Sequence, residues 1–362
     1  MWTLLVTLCL SLLAARISGT PDSSASTPPA PPAAAADQPR GERIGKTPYE
    51  KYTATDPLGR QITYYLSLPP KDAAAKLPLV VHVQGSGFGS HFMQLDDGRI
   101  GMVSGASASY AAAKDRARVL FVEKPGTSTF EQPTQHGSSE GAPEAFRREH
   151  SLQRWSTAIE AAIRDAEKHN DIDASHVLVL GHSEGGLVAC KVAADLGPGT
   201  VSGVACLSGG GPTQLYDFLE MARTGHFFDQ AGASPEEREK YVLDGWSGVM
   251  SEPQSPDKMW MGHSNLRWST FCATSPMEEL LKTPARVYIA QGSADQAVSP
   301  STALMLQATL LSRGRDVRLN WIEGGDHGYA KAGETREAAG AAFNSVVADA
   351  INWFLTSVPP QP

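Results

Sequence analysis

The most informative segment of the chain reads VLVLGHSEGGLVACKVAADL, residues 177–196. Its first four residues, Val177–Leu180, are apolar and rich in β-branched valine, which is typical of a buried strand. The pattern G-x-S-x-G follows at residues 181–185, and an apolar helical pattern continues to Leu196. A strand, a sharp turn and a helix in this order expose the serine at the turn, so the segment predicts a nucleophilic Ser183.

Five further segments predict buried strands, because each is short, apolar and closed by turn residues. They are Leu77–Val83, Arg118–Glu123, Val201–Leu207, Ala285–Ala290 and Val317–Ile322. Helical periodicity lies between most of them, for example at Phe146–His169, and a last helix is expected at about Glu334–Leu355. Strands that are apolar on both faces and alternate with helices predict an α/β fold with a mostly parallel sheet.

The alternation of strands and helices is interrupted between Pro212 and Pro284. This interval is too long for a plain crossover loop, and it is rich in tryptophan, phenylalanine and methionine. We therefore expect a cap, residues 213–284, inserted between the strands near Leu207 and Ala285 and lying over the carboxyl ends of the strands.

The segment around Ser183 resembles the nucleophile elbow of the α/β-hydrolase superfamily, in particular serine esterases of the bacterial branch similar to dienelactone hydrolases and prolyl-oligopeptidase catalytic domains. The resemblance covers about residues 69–356 and implies a central sheet with helices on both faces. It also implies the chain order Ser, Asp, His, with the acid after the next-to-last strand and the histidine after the last strand. Asp295, in QGSAD, and His327, in GGDHG, stand at these two positions.

The triad chemistry explains why these residue types are needed. A serine hydroxyl is a weak nucleophile near neutral pH and needs an imidazole to accept its proton, while a carboxylate fixes the imidazole tautomer and stabilises the imidazolium. Asp326, which directly precedes His327, is the main rival to Asp295 for this role. We expect Asp295 to be the acid, and Asp326 to shape its loop by binding nearby backbone amides.

The resemblance further implies an oxyanion hole made of two backbone amides. One belongs to Glu184, the residue after the nucleophile. The other comes from the loop after the strand Leu77–Val83, where the family often has His-Gly and this chain has QGSG at residues 84–87. Ser86 or Gly87 could supply this amide, and Ser86 is favoured. The Glu184 side chain could stabilise the helix N-terminus or bind a polar group of the substrate.

Aromatic and charged residues of the expected cap are candidates for the pocket lining. They are Trp260, His263, Arg267 and Trp268. Each could equally belong to the packing of the cap itself, and Arg267 could form a structural ion pair instead of binding an anionic substrate group. The polar loop 127–143 could form a wall of the site or be a mobile connection.

Composition excludes several classes of function. The 362 residues carry a net charge of −8 and no long basic run, so nucleic acid is not expected as a partner. Outside the N-terminal segment there are three cysteines, Cys190, Cys206 and Cys272, an odd number without close pairs that predicts neither a disulfide framework nor a zinc site. Without an H-E-x-x-H motif or a phosphate-binding glycine loop, we expect no metal and no cofactor.

The N-terminal residues predict export. The segment Met1–Ala15 is apolar but too short to span a bilayer, which favours a signal peptide over residues 1–19, although a Lys or Arg near the start is missing. A membrane tether or an intracellular amphipathic end is the alternative. Residues 20–45 then form a Pro- and Ala-rich linker, and residues 46–362 form the hydrolase domain. The mature protein would be secreted or periplasmic, without a stable membrane span.

These features favour serine-dependent hydrolysis of a carboxylic ester through an acyl-enzyme intermediate, with a small-molecule ester as substrate. The alternative is a small exopeptidase or aminopeptidase of prolyl-oligopeptidase type, although only 76 residues precede Leu77, too few for a propeller domain. A binding protein that has kept the fold is less favoured, because Ser183, Asp295 and His327 are all present. The sequence predicts neither the acyl group, nor the alcohol, nor the oligomeric state.

Overall fold

The computed structural model of the chain describes residues 41–71, 76–133, 135–225 and 232–356. The predicted signal peptide, residues 1–19, and residues 20–40 of the predicted linker lie outside these ranges. The described residues are organised around a sheet of nine strands with helices packed on both of its faces.

The elements are numbered here in chain order. The strands are β1 (Glu42–Arg43), β2 (Tyr49–Thr55), β3 (Gln61–Ser67), β4 (Leu77–Val83), β5 (Phe92–Gln94), β6 (Ile100–Met102), β7 (Arg118–Val122), β8 (Ile172–His182), β9 (Val201–Leu207), β10 (Met259–Trp260), β11 (His263–Ser264), β12 (Arg286–Gly292) and β13 (Val317–Ile322). The helices are α1 (Ser104–Ala113), α2 (Glu144–Glu149), α3 (Leu152–Ala166), α4 (Glu184–Leu196), α5 (Gln214–Thr224), α6 (Pro235–Ser251), α7 (Asn265–Phe271), α8 (Pro276–Leu281), α9 (Pro300–Ser312) and α10 (Arg336–Thr356).

The order of the strands in the main sheet is β1-β2-β3-β7-β4-β8-β9-β12-β13. The six strands from β7 onward in this order are parallel to one another, whereas β1, β2 and β3 form an antiparallel edge that joins β7. The α/β fold with a mostly parallel sheet is thus confirmed. β1 contributes residues from the end of the segment expected to be a linker.

Both faces of the central strands are buried. In β4, Leu79 and Val81 belong to a core that includes α3, α4, α8 and α9, whereas Val80 belongs to a second core with α1 and α10. Successive side chains of a strand point to opposite faces, so each strand must be apolar on both sides. This is why the strands appear in the sequence as continuous apolar runs.

The helix expected at Phe146–His169 is divided into α2 and α3. The chain leaves the helical conformation at His150, where φ is −84° and ψ is 73°. Ser151 then caps α3, because its side chain accepts a hydrogen bond from the Arg154 amide. A serine before a helix is a strong start signal, and here it begins a new helix within the apolar periodicity.

The segment between β9 and β12 contains α5, α6, the hairpin β10–β11 and α7, and we refer to these elements as the cap. They share a small apolar core of their own. Its buried members are Phe218, Met221, Ala222, Val242, Val249, Trp268 and Cys272. The last helix of the expected cap, α8, instead packs against the sheet through Leu280. The cap therefore has its own packing, and α8 completes a helical layer of the sheet.

Candidate active site

Ser183 lies on the turn between β8 and α4 in a strained backbone conformation. Its φ of 58° and ψ of −127° are unusual for a residue that carries a side chain. The Ser183 amide donates a hydrogen bond of 2.8 Å to the carbonyl of Leu207 at the end of β9, and the Ser183 carbonyl accepts one of 2.9 Å from Gly186. Strain that surrounding hydrogen bonds maintain in this way is typical of a functional turn.

Glycines on both sides of Ser183 make this turn possible. A Cβ on Gly181 would lie 2.1 Å from the carbonyl oxygen of Gly185. A Cβ on Gly185 would lie 2.5 Å from the carbonyl oxygen of Val83, at the end of β4. Both distances are far shorter than van der Waals contact, so the G-x-S-x-G spacing is a steric requirement of the turn.

Replacing Gly181 with alanine is therefore expected to lower the free energy of unfolding by about 1–3 kcal/mol, because the backbone of Gly185 must move away from the new Cβ. Gly248→Ala is the matched control, since Gly248 lies in α6 with nothing within 4 Å of its ideal Cβ, and alanine is the better helix former. Urea unfolding of both variants measures the difference. Equal stabilities would contradict the steric account of the turn.

Asp295 and His327 form a hydrogen-bonded pair on the loops after β12 and β13. His327 Nδ1 lies 2.9 Å from Asp295 Oδ2. The other carboxylate oxygen accepts hydrogen bonds from the amides of Ala297, at 2.8 Å, and Val298, at 2.9 Å. Burial opposes ionisation of Asp295, but His327 and the two amides outweigh it and hold the pKa of Asp295 below its ordinary value. The carboxylate is therefore charged near neutral pH and fixed opposite the imidazole.

Asp326, the rival acid, faces its own loop. Its Oδ1 accepts hydrogen bonds from the amides of Gly328, at 2.8 Å, and Ala330, at 2.9 Å. Its backbone amide donates to the Ala330 carbonyl. The structure thus places the carboxylate of Asp295 on the His327 imidazole and that of Asp326 on backbone amides.

His182, the second residue of the G-H-S-E-G motif, holds the His327 loop in place. His182 Nε2 lies 2.7 Å from the backbone carbonyl oxygen of His327, and the two ring centroids are 4.6 Å apart. Because a carbonyl oxygen can only accept, Nε2 must be the donor. Burial lowers the pKa of His182 to about 3, so the ring stays neutral. No role for His182 was predicted from the sequence. The one feature that could have indicated it is its place in the motif, next to Ser183.

A cavity of about 270 Å³ lies where the cap meets the carboxyl ends of the strands, and both Ser183 and His327 line it. Ser86, from the loop after β4, and Glu184, at the start of α4, line the same cavity. Its other lining residues are Gly137, Gln214, Asp217, Phe218, Met261, His263, Arg267, Trp268, Ala297 and Val298. Four of the five residues predicted for the site therefore meet in one cavity, and the fifth, Asp295, is bonded to His327.

The side chain of Glu184 lies in a buried ion cluster. Glu184 Oε1 lies 2.9 Å from Lys124 Nζ, and Oε2 lies 2.7 Å from Nη2 and 3.0 Å from Nε of Arg267. His150 Nε2 lies 3.4 Å from Oε1, and all four side chains are at most 2% exposed. Burial raises the pKa of Glu184, but the two cations outweigh it and hold that pKa well below its ordinary value. Glu184 is therefore an ionised link between Lys124 and Arg267.

Lys124 connects this cluster to the loop after β4. Its Nζ donates to the carbonyls of Gly85, at 2.6 Å, and Gly87, at 2.8 Å, in addition to Glu184. Three acceptors require three N–H donors, so Lys124 is an ammonium ion even though burial lowers its pKa. The ammonium ties loop 84–87 to the residue directly after the nucleophile. Lys124 was not predicted as a site residue. The one feature that could have indicated it is its position directly after the apolar segment 118–123.

The polar loop 127–143 contributes a wall of the cavity and is bonded to the cap. The Ser139 amide donates 2.8 Å, and the Ser138 hydroxyl 3.0 Å, to the carbonyl of Gly262 in the turn of the hairpin β10–β11. The Ser139 hydroxyl also lies 2.8 Å from Nδ1 of His263. These hydrogen bonds hold the wall and the cap together around the cavity.

The candidate pocket residues of the cap have different surroundings. His263, Arg267 and Trp268 line the cavity. Trp260 packs in the cap, with its ring centroid 5.6 Å from that of Trp268. Arg267 forms an ion pair with Glu184 and also lines the cavity.

The described residues hold no group of three or more His, Cys, Asp or Glu side chains arranged for a metal ion. None of their helices is both long and apolar enough to cross a membrane. Cys190, Cys206 and Cys272 are buried as free thiols.

Known proteins share both the sequence pattern and the fold of this chain. Residues 55–350 match the profile of the family described as "Putative esterase". A search of curated proteins gave no significant match. Among solved structures, Est1E from Butyrivibrio proteoclasticus is similar with a TM-score of 0.49 at 19% identity, covering 83% of this chain and 98% of that one.

Two larger peptidases share the fold over part of their length. The acylaminoacyl peptidase of Pyrococcus horikoshii has a TM-score of 0.56 at 12% identity and covers 88% of this chain, which spans 43% of that enzyme. A puromycin-hydrolyzing peptidase of Mycobacterium tuberculosis has a TM-score of 0.53 at 18% identity and covers 86% of this chain, which spans 40% of that enzyme. At such low identity these matches show the α/β-hydrolase fold alone. The family match extends over most of the chain, and the protein therefore belongs to the "Putative esterase" family of α/β-hydrolases.

Proposed function

We propose that this protein is a serine esterase that hydrolyses a small carboxylic ester through an acyl-enzyme on Ser183. One observation carries the proposal: a serine on a strained turn and a histidine bonded to a buried carboxylate line the same cavity. Membership of the esterase family supports the substrate class. The cavity of about 270 Å³ is at the small end for ligand sites, which favours a small ester.

In the proposed reaction, Ser183 Oγ attacks the ester carbonyl carbon while His327 Nε2 accepts the serine proton. The imidazolium is stabilised by Asp295 and then donates this proton to the departing alcohol. A water molecule, deprotonated by the same imidazole, attacks the acyl-enzyme carbonyl, and the acid leaves as Ser183 regains its proton.

We propose the backbone amides of Ser86 and Glu184 as the oxyanion hole. Both residues line the cavity together with Ser183. Lys124 supports the assignment, because its ammonium binds the carbonyls on either side of Ser86 and the carboxylate of Glu184. Donors fixed before the reaction stabilise a developing oxyanion without reorganisation. In this view Lys124 is a positioning residue that does not touch the substrate.

Replacing Lys124 with methionine is expected to lower kcat by about 10²-fold with little change in KM, because the two oxyanion donors lose their common anchor. Lys240→Met is the control, since Lys240 is exposed and, among the described residues, pairs only with Asp244 in the next turn of α6. Steady-state kinetics on one ester substrate separate the two constants. An increase in KM alone would contradict the positioning role.

The substrate class is tested by assaying purified protein against esters with short and long acyl chains and against aminoacyl amides. We expect turnover of short-chain esters and none of the amides. Turnover of aminoacyl amides without ester hydrolysis would favour the exopeptidase alternative.

We further propose that the protein is exported, on the basis of the apolar segment Met1–Ala15. Protein recovered from the envelope or medium is expected to begin between about Arg16 and Asp22. N-terminal sequencing of that protein tests the proposal, and an intact Met1 on exported protein would favour a tether.

A further inference from the structure

Arg267 lines the cavity and carries one buried donor without a partner among the described residues. Its Nε and Nη2 both bind Glu184 Oε2, which fixes the guanidinium. The side chain is 2% exposed, and its Nη1 is buried without a hydrogen-bond partner among the described residues. Arg267 also lines the cavity that holds Ser183. A buried guanidinium N–H without an acceptor is costly, so this donor is suited to a ligand that brings one.

The ion cluster around Arg267 carries one positive charge in excess. Its only acid, Glu184, is shared by the ammonium of Lys124 and the guanidinium of Arg267. Burial lowers the pKa of His150 to about 4, so this imidazole adds no charge near neutral pH. Burial, with the charge of Arg267, also holds the pKa of His263 well below its ordinary value. Two cations and one anion leave the cluster itself with a net charge of +1.

Asp295, the ionised acid behind His327, is bonded to His327 Nδ1 and to the amides of Ala297 and Val298 and pairs with no residue of the cluster. Asp217 lines the cavity, but burial raises its pKa to about 8, so it is mostly protonated near neutral pH. The guanidinium carbon of Arg267 lies 3.9 Å from the ring centroid of Trp268 and 4.5 Å from that of Phe271. These rings hold the guanidinium plane in place, but they carry no net charge.

We propose that the cavity binds an ester that carries a carboxylate in its acid or its alcohol half, and that Arg267 Nη1 donates to this carboxylate. The proposal rests on the ester hydrolysis at Ser183 proposed above. Arg267 is bound by Glu184, the residue directly after Ser183, and Arg267 and Ser183 line the same cavity. With a cavity of about 270 Å³, the substrate is a small ester such as the monoester of a short dicarboxylic acid.

Binding of a dicarboxylate tests the anion site without any turnover. Isothermal titration calorimetry on the full chain compares glutarate with glutaramide, its neutral analogue. We expect glutarate to bind about 10- to 100-fold more tightly, as for a charge-assisted hydrogen bond. The preference should be lost in Arg267→Met and kept in Arg223→Met, whose replaced side chain is 59% exposed and pairs with Glu239.

Hydrolysis of matched esters then identifies the half of the substrate that carries the carboxylate. Monomethyl glutarate is compared with dimethyl glutarate for the acid half, and acetoxyacetate with its methyl ester for the alcohol half. We expect kcat/KM to favour the charged member of one pair by about 10- to 100-fold, and this preference to vanish in Arg267→Met. Lys124 still balances Glu184 in that variant, so no bare buried carboxylate is created.

The two experiments separate the two proposals. Tight glutarate binding without hydrolysis of any ester would contradict the esterase proposal and keep the anion site. The anion site would be overturned by two results together. The kcat/KM for both neutral esters would equal or exceed that for their charged counterparts, and glutarate and glutaramide would bind equally tightly. If Arg267→Met does not fold, the unaltered protein still tests the anion site through its preference for glutarate over glutaramide and for charged over neutral esters.

Discussion

Ser183→Ala is expected to lower kcat/KM for any ester substrate by about 10⁴- to 10⁶-fold, as removal of a catalytic serine does in other triads. In the proposed mechanism this hydroxyl forms the covalent intermediate, so the variant has no nucleophile on the turn. Since the change removes one oxygen atom, the fold should remain, with an unchanged circular dichroism spectrum.

The control is Ser312→Ala at the end of α9, where the exposed hydroxyl donates to the Thr309 carbonyl in the same helix. This variant should keep full activity and stability. Ester hydrolysis at more than about a tenth of the normal rate in well-folded Ser183→Ala would contradict the assignment of the nucleophile.

Asp295→Asn is expected to lower kcat by about 10³- to 10⁴-fold, the second largest effect. An asparagine oxygen can still accept from the Ala297 and Val298 amides, which leaves its NH₂ group toward His327 Nδ1. A donor at that position favours the wrong tautomer and cannot stabilise the imidazolium. The NH₂ group would also face the side-chain amide of Gln291, which now donates to Asp295 Oδ2 at 2.9 Å.

Asp326→Asn is the matched comparison and should cost less than about 10-fold, because an asparagine oxygen can still accept from the Gly328 and Ala330 amides. Both variants are compared by kcat on the same ester, with circular dichroism to check the fold. A larger loss in Asp326→Asn than in Asp295→Asn would show that the wrong acid has been chosen.

The parts of this site that depend on local sequence could be predicted. The turn at Ser183 follows from the strand, the glycines and the helix, all within 177–196. The proposed positions of Asp295 and His327 follow from the chain order that the resemblance implies, because each lies just after a strand with a clear apolar pattern. The central parallel strands were equally visible, since burial on both faces leaves an unbroken apolar run, whereas the edge strand β13 reads VRLNWI and is partly exposed.

Contacts between distant residues could not be predicted. Glu184 is 60 positions from Lys124 and 83 from Arg267, and three different parts of the fold bring them together. The alternatives for Glu184 and Arg267 were therefore left open, and Lys124 was not considered at all. A buried ion pair leaves no periodic pattern in the sequence, because each partner looks like an ordinary surface charge.

The antiparallel edge of the sheet was missed for a different reason. β2 reads YEKYTAT, in which buried residues are interrupted by partly buried and exposed ones. β3 reads QITYYLS, in which polar residues and tyrosines interrupt the aliphatic ones although its last four residues are buried. Such strands lack the continuous apolar run that identified the central ones. Their place in the sheet is set by pairing, from Tyr49 opposite Ser67 to Thr55 opposite Gln61.

A covalent acyl-enzyme on Ser183 can be tested by mapping the site of a fluorophosphonate adduct. Purified protein is labelled, digested and sequenced by tandem mass spectrometry. We expect one adduct of one label per chain, on the Ser183 hydroxyl, with ester hydrolysis lost in proportion to labelling. An adduct on another residue, or full hydrolysis by protein labelled at Ser183, would contradict it.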